Sequence, residues 1–309
     1  MQTRARHLAE YALYRLFEGV MRHMPWGTAL AMGELAGRAA YWLDSRHREV
    51  TLSNLRGSDL GLSESDIVRV AKDCFAHFGA LAFTMPLLLF MDAGELLRRV
   101  RFRGMEVWDA AARAGKGFIG LTGHYGNWEA MALVLSASGR PLTVIGRRVG
   151  NPYLDARLRA LRARFGNVAI DKDGAVKEAV QALRRGMCVG FLLDQDARSY
   201  GVFAHFLGRP ASTWPTAAAL ALRFGLPVVP IYSRPCPDGT IMVEVEAPLA
   251  INPSGDSARD VLDATQLMSD ALERRVRRHP HYWFWMHRRF KTQPANESGS
   301  KETKCTSTS

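Results

Sequence analysis

The 309-residue sequence predicts an α/β fold, a mostly parallel central sheet flanked by helices with an N-terminal helical membrane-associating lobe. Two observations lead there. From Gly117 onward, short apolar runs alternate with helix-length runs, the pattern of strand–helix–strand units and a parallel sheet. Before that point the pattern is helical. The chain is 47% hydrophobic, enough for one large core or two modest ones. We read one unit over 1–295, with 1–56 helical and suited to a membrane interface, and a polar, disordered tail over 296–309.

The elements follow in order. Helices are expected over 5–23 and 25–43, then a basic connection ending near Arg56. Ser63-x-x-Asp66 reads as a cap for a helix over 64–91, which Pro86 should kink or end. Strand character spans Leu96–Arg103, a short helix Val107–Ala114, and a turn Gly115–Gly117. The alternation then runs: strand Gly117–Thr122, helix 128–138, strand Leu142–Gly146, helix Pro152–Phe165, strand Val168–Ile170, helix Gly174–Arg185, strand Cys188–Leu193. Phe203–Thr213 reads as an apolar loop, lining an acyl groove or merely packing. Helix Pro215–Phe224, strands Pro227–Tyr232 and Ile241–Val245, and helix Ala258–Arg278 complete the chain.

A net charge of +11 and a pI near 9.9 suggest an anionic partner: nucleic acid, an anionic membrane or a phosphorylated substrate. The excess is concentrated. Residues 140–172 carry eight basic groups against Asp155 and Asp171, and 273–291 carry seven against Glu273. Cys74, Cys188, Cys236 and Cys305 form no CxxC pair or zinc knuckle. Cys74 and Cys188 lie in apolar runs and read as buried thiols of a reducing compartment. Charges interrupt the first apolar stretch, so neither a signal peptide nor a spanning helix is expected. Residues 8–43 are amphipathic and suit either a bilayer interface or an ordinary packed hairpin.

The segment Thr122-Gly-His124-Tyr-Gly-Asn-Trp-Glu129 carries the most chemistry. It places a histidine and a carboxylate five positions apart in a strand–turn–helix. Histidine can take a proton from a hydroxyl near neutral pH, and a carboxylate can fix its tautomer. His124 and Glu129 are therefore the expected catalytic pair. In open α/β sheets ligands sit beyond the carboxyl ends of strands. Three apolar runs end in ionisable residues there: His124, Arg147 with Arg148, and Asp194-Gln195-Asp196. Arg147 can hold a phosphate or carboxylate with paired donors. The aspartates suit a metal, a sugar hydroxyl or an arginine, and too few ligands adjoin them for a metal; Asp194 is expected to bridge to Arg147 or hold a turn. His279–Lys291 mixes aromatics with cations, fitting base stacking, a membrane interface, or a core segment with a basic rim.

As an ordered set these residues resemble the lipid A late acyltransferase branch of the lysophospholipid acyltransferase superfamily, which also includes phosphatidylinositol mannoside acyltransferases. The motifs are His124-Tyr-Gly-Asn-Trp-Glu129; Arg147 with Asn151-Pro-Tyr-Leu-Asp155; Leu193-Asp194-Gln-Asp196; Phe206-Leu-Gly-Arg209-Pro-Ala-Ser-Thr213; and His279-Pro280 with Trp285-Met-His-Arg-Arg-Phe-Lys-Thr292. The likeness spans roughly residues 5–294. It implies an O-acyltransferase of lipopolysaccharide biosynthesis. Such an enzyme moves a fatty acyl chain from acyl carrier protein, sometimes coenzyme A, to a hydroxyl of a lipid A precursor. It implies His124 as general base, Glu129 as its partner, and Arg147, Asn151, Asp194 and Arg209 as substrate-binding residues. It implies no metal or redox cofactor, no nucleic acid, and work at the cytoplasmic face of the inner membrane. An acyltransferase acting on a lysophospholipid, a phosphatidylinositol mannoside or an amino-acid lipid is the alternative. Two departures stand out. The front helix is more broken by charge than many members' anchors, and Arg148 stands where proline is frequent.

Overall fold

The computed structural model describes residues 2–171 and 174–294; the tail expected over 296–309 lies outside them. Four helices open the chain: α1 (Gln2–Met21), α2 (Trp26–Leu43), α3 (Ser45–Arg56) and α4 (Glu64–Leu88). Short α5 (Ala93–Leu97), β1 (Val100–Arg103) and α6 (Met105–Arg113) lead into the alternating region. This comprises β2 (Phe118–Thr122), α7 (Trp128–Ala137), β3 (Leu142–Gly146), α8 (Pro152–Arg162), β4 (Val168–Asp171), α9 (Ala175–Arg184) and β5 (Cys188–Leu192). A hairpin of β6 (Val202–Phe206) and β7 (Arg209–Thr213) follows, then α10 (Thr216–Phe224), β8 (Val228–Pro235), β9 (Ile241–Val245) and α11 (Ser257–Arg278).

Seven strands form one sheet in the order β1-β9-β8-β2-β5-β3-β4. Every pairing is parallel except β8 with β9. The central strand β2 is buried along its whole length. One core cluster includes Leu133 and Leu135 of α7 with Ile231 and Leu142; a second includes Ala179 of α9, Leu220 of α10 and Met268 of α11. A third joins Phe75 of α4, Phe206 of β6 and the C-terminal Trp283 and Trp285.

The front helices depart from expectation in one place. The basic connection before Arg56 is a helix, capped by the Asp44 side chain, which accepts the His47 N–H at 3.1 Å. It buries only Thr51, Asn54 and Leu55, so its sequence carries little helical periodicity. Ser63 caps α4 as expected, accepting the Asp66 N–H, and the helix ends two residues after Pro86. Part of the expected strand Leu96–Arg103 is α5, opened by a capping box between Asp92 and Glu95. Helices α2 and α4 cross at backbone contact. A Cβ on Gly37 would lie 2.1 Å from the Phe75 carbonyl oxygen, and one on Gly79 would lie 2.2 Å from that of Gly33.

The expected loop over Phe203–Thr213 is the β6–β7 hairpin. Its two turn residues, Leu207 and Gly208, have φ of 52° and 76°. Two left-handed residues give the tight hairpin turn that matches strand twist. The usual Asn-Gly or Asp-Gly signature is absent because leucine occupies the first position.

Candidate active site

Sheet order builds the site. Strands β2 and β5 are neighbours in register, with Thr122 opposite Leu192. Two residues beyond these ends stand His124 and Asp194. His124 Nδ1 lies 2.8 Å from Asp194 Oδ1, and the His124 backbone N–H donates to Asp194 Oδ2 at 2.7 Å. The Trp283 indole N–H donates to the same Oδ2 at 2.7 Å. The partner of His124 is therefore Asp194 and not Glu129, and Asp194 does not bridge to Arg147. Glu129 sits in the first turn of α7, and that helix carries its carboxylate to Arg162 of α8. Arg162 Nε lies 3.0 and 3.2 Å from the two Glu129 oxygens.

Electrostatics follow from burial and this pairing. Asp194 is 1% exposed. Burial by itself would raise its pKa, but the adjoining His124 ring and its hydrogen bonds hold it well below the usual carboxylate range. Burial by itself would lower the His124 pKa, and the Asp194 carboxylate reverses this to a net rise. An ionised Asp194 accepts the Nδ1 proton, which leaves the Nε2 lone pair as the basic site. The edge of the Trp128 ring packs on the imidazole, with centroids 4.8 Å apart.

The turn between β2 and α7 is fixed at several points. Gly126 has φ of 60°, and a Cβ there would lie 1.8 Å from the Ser233 carbonyl oxygen. Its N–H donates to the Tyr282 carbonyl, and Asn127 N–H donates to Ser233 Oγ. The amides of residues 125–127 are thus all engaged within the protein, Tyr125 N–H with the Gly123 carbonyl. The Asn127 side chain caps α7 by accepting the Ala130 N–H.

A cavity of about 350 Å³ adjoins the histidine. Its polar wall holds His124, Glu129, Arg162 and Arg147. Its interior is apolar, with Met131, Ala132 and Leu135 of α7 facing the sheet. Arg147 is exposed at this wall and makes no hydrogen bond or ion pair among the described residues.

Two expected substrate-binding residues lie away from the cavity. Asn151 caps α8, accepting from Tyr153 N–H, and its amide donates to the His7 carbonyl at 2.8 Å, which ties α1 to α8. Arg209 stacks on the Phe290 ring at 4.1 Å, beside α3. The basic block over 140–172 is largely neutralised internally. Arg140 pairs with Asp109, Arg157 with Glu18, Arg159 with Asp155, and Arg148 with Asp171. Two of these acids lie far from the block in sequence, so local charge counting overstates the field available to a ligand.

Three residues of the site went unassigned at the sequence level. Arg162 was visible only as part of a basic helix face. Trp283 holds Asp194, and His287 Nε2 lies 2.8 Å from the Asp194 carbonyl oxygen. The aromatic and cationic segment after His279 is thus a core segment that fixes the carboxylate.

The ensemble is a base braced by a buried carboxylate at the mouth of an apolar cavity, on an open α/β sheet. That arrangement sets a general base beside room for an apolar group. The profile of the bacterial lipid A biosynthesis acyltransferase family matches residues 1–292, and the chain belongs to that family and is an acyltransferase. It is 25% identical over 218 residues to lipid A biosynthesis acyltransferase 2 of Shigella flexneri, covering 69% of this chain and 68% of the relative. It is 24% identical to the lipid A biosynthesis lauroyltransferase of Escherichia coli K12, covering 88% of each. It is also 24% identical to a phosphatidylinositol mannoside acyltransferase of Mycolicibacterium smegmatis, covering 85% of this chain and 86% of the relative.

Proposed function

We propose that this protein transfers a fatty acyl chain from an acyl carrier protein thioester to a hydroxyl of a lipid A precursor, in lipopolysaccharide biosynthesis. One observation carries the reading: His124, backed by the buried Asp194, stands at the polar wall of an otherwise apolar cavity. The acceptor hydroxyl bonds to His124 Nε2, which takes its proton as the oxygen attacks the thioester carbonyl. Collapse of the tetrahedral intermediate releases the thiolate, and the imidazolium returns the proton to it. Negative charge develops on the carbonyl oxygen. With the turn amides engaged, the Arg162 guanidinium, held in place by Glu129 on the same wall, is the fixed positive charge available to it. Glu129 is then a positioning residue and not the partner of the base. Arg147 stands free to meet an anionic group of the acceptor or of the carrier's phosphopantetheine arm.

A membrane surface is the proposed working place. No helix among the described residues is long and apolar enough to cross a membrane. Helix α1 presents Leu13, Leu16 and Val20 outward at helical spacing, with Leu13 and Leu16 each 69% exposed; α2 adds Leu35 at 71% and Trp42 at 66%. Such stripes suit burial at the headgroup boundary of an inner-membrane leaflet, with flanking arginines near lipid phosphates. The charge of +11 suits an acidic carrier protein and an anionic glycolipid.

The test is acyl transfer by purified protein from acyl carrier protein thioesters to several lipid acceptors, compared with His124→Ala. Loss of transfer in that variant with an unchanged unfolding curve supports the reading, and wild-type turnover in it overturns the role of His124. Mass spectrometry of lipid A from a deletion strain decides the acceptor. An unchanged acyl count favours another polar lipid, the mannoside acyltransferase resemblance being the observation behind that second reading.

A further inference from the structure

The floor of the cavity contains an unusual pair. Gly120 of β2 and Gly190 of β5 are cross-strand neighbours, and both line the cavity. Interior glycines weaken strands, through lost side-chain packing and added chain entropy. Neither has a positive φ, so the backbone does not call for glycine at either place. No main chain presses on them. An added Cβ at Gly190 would meet Leu142 Cδ1 at 3.5 Å and the Thr143 carbonyl oxygen at 3.6 Å, which are ordinary contacts. At Gly120 it would meet Cys188 Sγ at 2.9 Å and Ile231 Cδ1 at 3.2 Å, so those side chains would have to move. What the missing side chains provide is space beneath α7.

The register turns that space into a trench. Val144 of β3 pairs with Gly190, so Gly120, Gly190 and Val144 form one row across the sheet. Two residues earlier on each strand the row is Phe118, Cys188 and Leu142, whose side chains are all buried. Of these three, only Leu142 reaches the cavity wall. The trench therefore runs from the His124 end, over the glycines, to an apolar stop.

We propose that Gly120 and Gly190 are the floor over which the acyl chain passes, and that the size of residue 190 sets the length of chain transferred, with the Phe118–Cys188–Leu142 row as the end stop. This rests on the acyltransferase reading above. The register sets the distances. At about 3.3 Å per residue, the glycine row lies about 13 Å along the strand from His124, and the stop about 20 Å. An extended chain advances about 1.2 Å per bond, so it crosses the glycines near its eleventh carbon and meets the stop near its sixteenth.

The experiment measures transfer from a series of acyl carrier protein thioesters with saturated chains of 8 to 18 carbons, in parallel with calorimetric binding of the matching free fatty acids. The wild type is expected to favour chains of about 12 to 16 carbons. Gly190→Val should lower the ratio of 14-carbon to 8-carbon transfer at least tenfold, Gly190→Ala should shift it less, and Leu142→Ala should shift preference toward longer chains. A variant that is merely destabilised would lose all lengths in proportion, and that result in both directions of substitution overturns the proposal. So does transfer with an unchanged length profile in Gly190→Val. Length-dependent fatty acid binding without any acyl transfer would leave the trench standing and overturn the proposed donor and acceptor instead.

Discussion

Replacing Asp194 with asparagine keeps the volume of the side chain and removes its charge, and the structure dictates how the amide would sit. Oδ2 accepts two N–H groups, the His124 backbone amide and the Trp283 indole, each at 2.7 Å. Neither donor can accept a hydrogen bond, so the amide oxygen must take that position. The NH2 group then occupies the place of Oδ1 and faces His124 Nδ1, 2.8 Å away. It can only donate there, so the ring proton moves to Nε2 and the basic lone pair is lost from the face where the hydroxyl binds. The equivalent change in a serine protease lowers turnover about 10⁴-fold, or about 5.4 kcal/mol in the barrier. We expect Asp194→Asn to lower kcat about 10³- to 10⁴-fold with little change in KM for the acyl donor. The pH profile gives a second reading. In the wild type, activity rises as pH passes the raised pKa of His124, because the base must be neutral. Without the carboxylate, burial is opposed only by the weaker attraction of Glu129, itself countered by Arg162, so the residual activity should set in at lower pH. Steady-state transfer between pH 5 and 9 reads the rate and the profile, and nitrogen NMR of the imidazole reads the tautomer. Turnover within tenfold of the wild type, or an unmoved profile, would refute the reasoning.

Other expectations follow from single contacts. Removing Arg162 leaves Glu129 as an unpaired, mostly buried charge, so Arg162→Ala should cost about 3–5 kcal/mol in urea denaturation, while the double change Glu129→Leu with Arg162→Met recovers stability without activity. Gly126→Ala forces a Cβ against the Ser233 carbonyl and should destabilise by about 3 kcal/mol, checked by the same denaturation. Leu13→Asp with Leu16→Asp should weaken sedimentation with anionic vesicles at least tenfold while activity on detergent-dispersed acceptor persists. The ion pair also sets a pH window for stability. The depressed Asp194 pKa contributes stability above its unfolded value near 4, lost as pH falls. The raised His124 pKa contributes below its unfolded value of about 6.5, lost as pH rises through the folded value. The difference in thermal midpoint between wild type and Asp194→Asn should thus be largest between about pH 4 and 6.5.

The sequence alone determined the class of fold, most of its elements and the turn on which the candidate site is built. Those features are local: alternating apolar runs, a helix cap such as Ser63, and a glycine turn after a buried strand are written in neighbouring residues. It also brought Asp194 and Arg147 forward, because both follow strand ends. Pairing was beyond it. Glu129 lay five residues from His124 and Asp194 seventy, and sequence distance favoured the wrong carboxylate. Only the neighbouring of β2 and β5 brought Asp194 to the imidazole, and only the direction of α7 turned Glu129 toward Arg162. The same holds for Trp283 and His287, which reach the side chain and the backbone carbonyl of Asp194 from the far end of the chain, and for the Leu207–Gly208 hairpin, which lacked its usual turn signature. A residue's neighbours along the chain fix its conformation, but its chemistry depends on which strand lies beside it, and strand order is settled by burial of whole faces and not by any short motif.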